Sequence, residues 1–291
     1  MTDTHAISSG ALQATIRAQG GELIALGDAN GPALWHGGPE WPRHAPVLFP
    51  VVGRLTDDTL IHQGRNYRLT QHGFARDALF TWVERGTDRA VLELRESAET
   101  LAIYPFRFVL RMIYVVAGDT LSVTTQVSNP AETPLICGVG AHPAFLWPLV
   151  EGTPKEAHRL SFPEVEPGPG RGVEGGLIGG PIPLPFSGRE LPLAEGLFVN
   201  DAIVIPDVVN RSVRFAARDA TGQERRALTV SWEGFWDLGI WSKPTGAPFL
   251  CIEPWAGMAS PVGWQGEFAD KPGIMAMAPG ESRDFTWRVT L

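Results

Sequence analysis

The sequence predicts an all-β chain folded as a large antiparallel β-sandwich, and three observations carry that expectation. Gly (33) and Pro (25) recur at short intervals through 291 residues and leave little room for helices of ordinary length. Several segments alternate apolar and polar residues with a period of two. Helical character is confined to one short stretch, "SAETLAI" over residues 97–103, which Pro105 stops after one or two turns.

Taken in chain order, the segment from Phe108 to Val116 is nearly continuous in apolar residues and is expected to be a strand covered on both faces. Leu121, Val123, Thr125 and Val127 alternate with Ser122, Thr124, Gln126 and Ser128, the pattern of a half-buried strand. The stretch from Pro163 to Pro192 is rich in Gly and Pro and reads as a long surface loop. Its "GRGVEG" matches GxGxxG as a string, but a phosphate site needs that string between a strand and a helix N-terminus, and Pro167, Pro169, Pro181 and Pro183 surround it. Val213, Phe215 and Ala217 oppose Ser212, Arg214 and Arg218 in a further strand. Phe285, Trp287, Val289 and Leu291 oppose Thr286, Arg288 and Thr290 in the last one. Antiparallel sheets packed face to face follow, expected as one domain over residues 1–291.

Composition narrows the function classes. The 44% hydrophobic and 19% charged fractions are those of a globular protein, and no apolar run approaches the ~18 residues of a membrane span. The N-terminal "MTDTHAISSG" has neither a basic start nor an apolar core of a secretory leader, so the expectation is a cytoplasmic protein with no membrane partner. A net charge of -8 argues against nucleic acid, which demands a basic face. Cys137 and Cys251 lack a CxxC spacing and are expected to be two small buried residues, with no metal and no cofactor implied. Neither GxSxG nor HExxH occurs.

Five stretches set polar or ionisable residues among small or turn-forming ones: "FPVVGRL", "HGFARD", "GAHPAF", "ND" at 200–201 and "CIEPW". Glu253 interrupts the apolar strand "FLCIEPW", and buried carboxylates are rare unless paired or functional. His142 has the same character, with small residues before it and Pro143 after it, a context that leaves the imidazole edge open to a ligand. A histidine and a carboxylate in one pocket can act as acid and base within one turnover.

"PVLFPVVGRL", "HGFARD", "GAHPAF", "LGIWS" and "CIEPWAG", in this order over most of the chain, resemble the aldose 1-epimerase (galactose mutarotase) family, and within it the LacX-like branch. The resemblance implies a galactose mutarotase-like supersandwich with an open cleft, a small-molecule sugar substrate and a cofactor-independent isomerase reaction. It implies Glu253 as general base, taking the anomeric hydroxyl proton, and His142 as general acid toward the ring oxygen. It also implies substrate binding by His72 and Arg54, and by Asp201, which is placed by its position between the acid and the base. After the acid histidine the better-known galactose mutarotases commonly carry an aromatic residue and an asparagine, where this chain has Pro143, Ala144 and Phe145. Relatives acting on hexose 6-phosphates also show "HGFAR", and Arg76 with Arg43 and Arg54 is then a candidate phosphate clamp. Two further readings are a glycosidase using Asp201 and Glu253 as paired carboxylates and a non-catalytic carbohydrate-binding sandwich. Trp236, Trp241 and Trp255 are available to cover a sugar face but receive no role among ten tryptophans.

Overall fold

A computed structural model describes residues 3–291. Its larger sheet has nine antiparallel strands in the order Glu190–Pro192, His158–Ser161, Ser212–Arg218, Glu224–Glu233, Ser282–Thr290, Thr120–Ser128, Val109–Ala117, Arg89–Arg95 and Thr81–Arg85. Thr120–Ser128 alternates half-buried and buried residues along its whole length, as its period-two pattern predicts. Its Val123 faces Tyr114 on one side and Trp287 on the other, so the inward row of three strands forms one apolar band. On the outward face the Thr124 and Thr286 hydroxyls pair at 2.8 Å. The strand Val109–Ala117 departs from expectation, because Arg111, Ile113 and Val115 are only half-buried. That face carries the polar row Gln126, Thr124 and Ser122 of the neighbouring strand, so only the inward row is fully covered.

The second large sheet runs Leu177–Ile182, Gly170–Glu174, Ile203–Ile205, Asp237–Trp241, Phe249–Ala256, Val139–Ala141 and Val47–Leu48, with Ala144–Leu146 also paired to Phe249–Ala256. Leu238, Ile240, Leu250 and Ile252 of this sheet join Leu121, Val213, Phe215 and Val289 of the other in one buried cluster, which is the sandwich core. Fully burying each such side chain contributes about 1.5–3 kcal/mol. The strand Phe249–Ala256 is buried at every position. Period two then divides it: Leu250 and Ile252 enter the core, while Cys251, Glu253 and Trp255 face the other way.

Among the described residues the single α-helix, Ala98–Ile103, starts where Ser97 accepts a hydrogen bond from the Thr100 N–H at 3.3 Å, a capping box. The expected loop between Pro163 and Pro192 is corrected: Gly170–Glu174 and Leu177–Ile182 form a hairpin turned by Gly175 and Gly176, both at positive φ. Prolines did not prevent pairing because Pro181 lies on the outermost strand of the sheet, where a missing N–H costs little. The GxGxxG string is thus a strand and a turn, with no helix behind it. Among the described residues no helix is long and apolar enough to cross a membrane.

Candidate active site

Five segments meet over the outer face of Phe249–Ala256. Glu253 and Trp255 come from that strand, and Trp241 from its neighbour Asp237–Trp241. His142 follows the short strand Val139–Ala141, which lies between Phe249–Ala256 and Val47–Leu48. His72 and Arg76 come from the turn before and through the short 3-10 helix Ala75–Asp77. Asp201 sits in the turn entering Ile203–Ile205 at φ +78°, and the hairpin supplies Val173, Gly175, Gly176 and Ile178. Together with Trp41 they enclose a cleft of about 640 Å³.

Two glycines set the floor. Gly140 is opposite Trp255 in the ladder, and a Cβ on it would meet the Trp255 ring and Leu48 at 2.9 Å. Gly239 is opposite Glu253, and a Cβ there would lie 2.3 Å from the Trp255 ring. Gly140, two residues before His142, therefore makes room for an indole laid across the sheet, a packing role beside the open edge that the sequence suggests.

His142 Nε2 lies 3.2 Å from Glu253 Oε2, both side chains buried. Trp41 lies against the imidazole at 5.0 Å between ring centroids, Trp241 meets it edge-on at 5.8 Å, and His72 edge-on at 5.7 Å. Burial within this aromatic enclosure pushes His142 down to about 3 and the Glu253 carboxyl well above the usual carboxylate range. The nearby Asp201 charge adds to the rise in Glu253, and the Trp255 indole beside it, whose N–H completes no hydrogen bond, offsets part of it. Both shifts disfavour the charged forms, so burial favours a neutral carboxyl beside a neutral imidazole.

His72 is fixed by its backbone. Its N–H donates to the Gly53 carbonyl at 2.8 Å, and the Gly53 N–H donates to His72 Nδ1 at 3.1 Å. An accepting Nδ1 leaves the proton on Nε2, so His72 is a neutral donor. Burial, then the charge on a protonated His142 and on Arg76 and Arg43, holds His72 well below its ordinary value. Gly73 makes this turn possible, since a Cβ on it would fall 2.2 Å from the Phe49 carbonyl oxygen.

Arg76 lines the cleft and donates to the Gln71 carbonyl at 2.7 Å; burial and the neighbouring Arg43 lower it to about 10, which leaves it charged at neutral pH. Arg54 lies outside the main cleft. It faces a shallower annex with Gln71, Arg76 and Asp201, and pairs with Asp58 at 2.8 Å. Arg43 is held by Asp77 at 2.9 Å. The structure thus gathers His142, Glu253, His72, Arg76 and Asp201 in one cleft and sets Arg54 at its edge.

Sequence reasoning missed Trp41. It is carried by a loop tied down by buried Glu22, whose carboxylate accepts the N–H groups of His44 and Ala45 at 2.8 and 3.0 Å and pairs with Arg17. The Trp35 indole donates to the Trp41 carbonyl at 2.9 Å, and Lys243 to the Glu40 carbonyl at 2.8 Å. The one signal for this anchor in the sequence is Glu22 between apolar residues and a Gly pair.

This two-sheet antiparallel sandwich is the fold of galactose mutarotase-like proteins. Residues 3–166 match the family model for aldose 1-epimerase, and the chain belongs to that family. The chromosomal protein LacX of Lactococcus lactis subsp. lactis is 32% identical over 284 residues, 94% of each chain. Among solved structures, a galactose mutarotase related enzyme from Lactobacillus acidophilus superposes with a TM-score of 0.89 at 27% identity, covering 99% of this chain and 97% of that one. A galactose mutarotase-like protein from Lactobacillus casei does so with a TM-score of 0.89 at 25% identity over 99% of both chains.

Proposed function

We propose that the protein is an aldose 1-epimerase that interconverts the α and β anomers of an unphosphorylated hexose or related aldose. The observation that carries this reading is the 3.2 Å contact between the buried side chains of His142 and Glu253 at the floor of the cleft. Moving the shared proton from Glu253 to His142 across that contact yields a carboxylate and an imidazolium side by side. Glu253 then takes the proton of the anomeric hydroxyl while His142 gives its proton to the ring oxygen, and the ring opens to the aldehyde. Rotation about the bond to the carbonyl carbon and reclosure on its other face deliver the second anomer, and the pair again holds one proton. His72, as a neutral Nε2–H donor, and Arg76 orient the sugar, and Asp201 accepts from its hydroxyls. All three guanidiniums of the candidate phosphate clamp already face a carboxylate, Arg54 that of Asp58, and Arg43 and Arg76 that of Asp77, which favours an uncharged sugar.

Polarimetry on freshly dissolved aldoses, with and without a 6-phosphate, tests the reading. Glu253→Gln keeps the shape and loses the proton acceptor, so anomer interconversion is expected to fall by about 10²- to 10⁴-fold while sugar binding persists. Near-normal turnover in this variant makes Glu253 structural and the proposal wrong. Release of new reducing ends from glycosides would instead support the glycosidase reading.

A further inference from the structure

Cys251 has no part in the reaction above, yet it sits two residues before Glu253 on the same face of the same strand. One ligand atom from each of Cys251, Glu253 and His142 lies within 4.8 Å of the other two, and all three residues are buried. In a tetrahedral zinc site, metal–ligand bonds of about 2.0–2.3 Å bring donor atoms to roughly 3.5 Å from each other. Side-chain adjustments on the order of 1 Å would therefore close the three donors around an ion. The set is one thiol, one imidazole and one carboxylate, with the sugar cleft on the remaining side.

We infer that this triad is an inhibitory site for a thiophilic divalent cation such as Zn²⁺ or Cd²⁺, with the fourth position open to water or a sugar hydroxyl. The charge balances. Coordination displaces the Cys251 thiol proton to solvent and takes up His142 as a neutral imidazole, and thiolate plus carboxylate then neutralise the cation. In a site that disfavours isolated charge, this neutral assembly is compatible with burial. Its consequence is loss of both proton-transfer groups at once. The sulfur selects the metal: Mg²⁺ and Ca²⁺ prefer all-oxygen ligands and are excluded.

Binding is read without any sugar. Cd²⁺ titrated into the full chain is expected to produce a thiolate-to-metal ultraviolet charge-transfer band and to release the thiol proton. The band should vanish in Cys251→Ala and in Cys251→Ser, both of which keep Cys137, and should need a higher metal concentration in His142→Asn. Inhibition of anomer interconversion by Zn²⁺ rests on the proposed function and is measured separately. Half-inhibition of Cys251→Ala should require at least the roughly 10- to 100-fold more Zn²⁺ that losing even an outer partner of a metal site costs, while Mg²⁺ has no effect. A Cd²⁺ band that is missing from the parent protein, unchanged in the Cys251 variants or indifferent to His142 overturns the site. Stimulation by Zn²⁺, or equal inhibition of parent and Cys251→Ala, overturns its blocking role. A band in a protein that turns over no aldose leaves the metal site standing and counts against the epimerase reading alone.

Discussion

At the scale of single residues, the two histidines of the cleft differ in what they can exchange. In the proposed reaction His142 exchanges a proton with Glu253, 3.2 Å away, whereas His72 is held as a neutral donor by the Gly53 N–H. His142→Asn should therefore lower kcat by about 10²- to 10⁴-fold with little change in KM. His72→Asn should divide its effect between kcat and KM; the reverse pattern in steady-state kinetics would exchange the two roles. The pH profile follows from the same proton count. Burial lowers His142 to about 3, so the acid limb, where the pair gains a second proton and loses its base, should begin only near that pH. Burial raises Glu253, so the alkaline limb, where the pair loses its single proton and hence its acid, should fall well above the ordinary carboxylate range. A rate constant that falls as the pH is lowered through the range of a free histidine, near 6.5, contradicts this arrangement.

At the scale of elements, the ladder that holds Glu253 also seats Trp255 over Gly239. Gly239→Ala places a methyl group 2.3 Å from the ring carbons, so the indole or the strand must shift. Overpacking of this kind costs about 1–3 kcal/mol. Denaturant unfolding should show that loss, and kcat/KM should fall because the displaced ring lines the cleft; an unchanged kcat/KM would mean that the indole has no part in shaping it. Glycine's meaning here was not readable from the sequence, because the partner that fills its space is on another strand. His142 and Glu253 were readable, since each is an ionisable residue set among small or apolar ones where burial is otherwise hard to explain. Trp41 was not, for it is one of ten tryptophans, and its place over His142 depends on a loop anchored to Glu22 far back in the chain. The strands Thr120–Ser128 and Ser282–Thr290 declared themselves by strict alternation, while the hairpin over residues 170–182 hid behind prolines that only an edge strand tolerates.

For the whole molecule, the decisive feature is where Ser282–Thr290 lies. It is the middle strand of nine, paired with Thr120–Ser128 on one side and Glu224–Glu233 on the other. Thr286 finds its hydroxyl partner Thr124 162 residues away in sequence. Deleting residues 282–291 should abolish the cooperative unfolding transition and expose dye-binding apolar surface, since the sheet then falls into two four-stranded groups; a cooperative transition in the deletion would show that the halves are independently stable. A chain emerging from the ribosome meets the same situation in time. Until this segment is released, each half displays a bare backbone edge and an uncovered apolar face, a template for a neighbouring nascent chain. Completion of the larger sheet thus waits on residues 282–290, and the interval before they are released is when the two halves most need a holding chaperone.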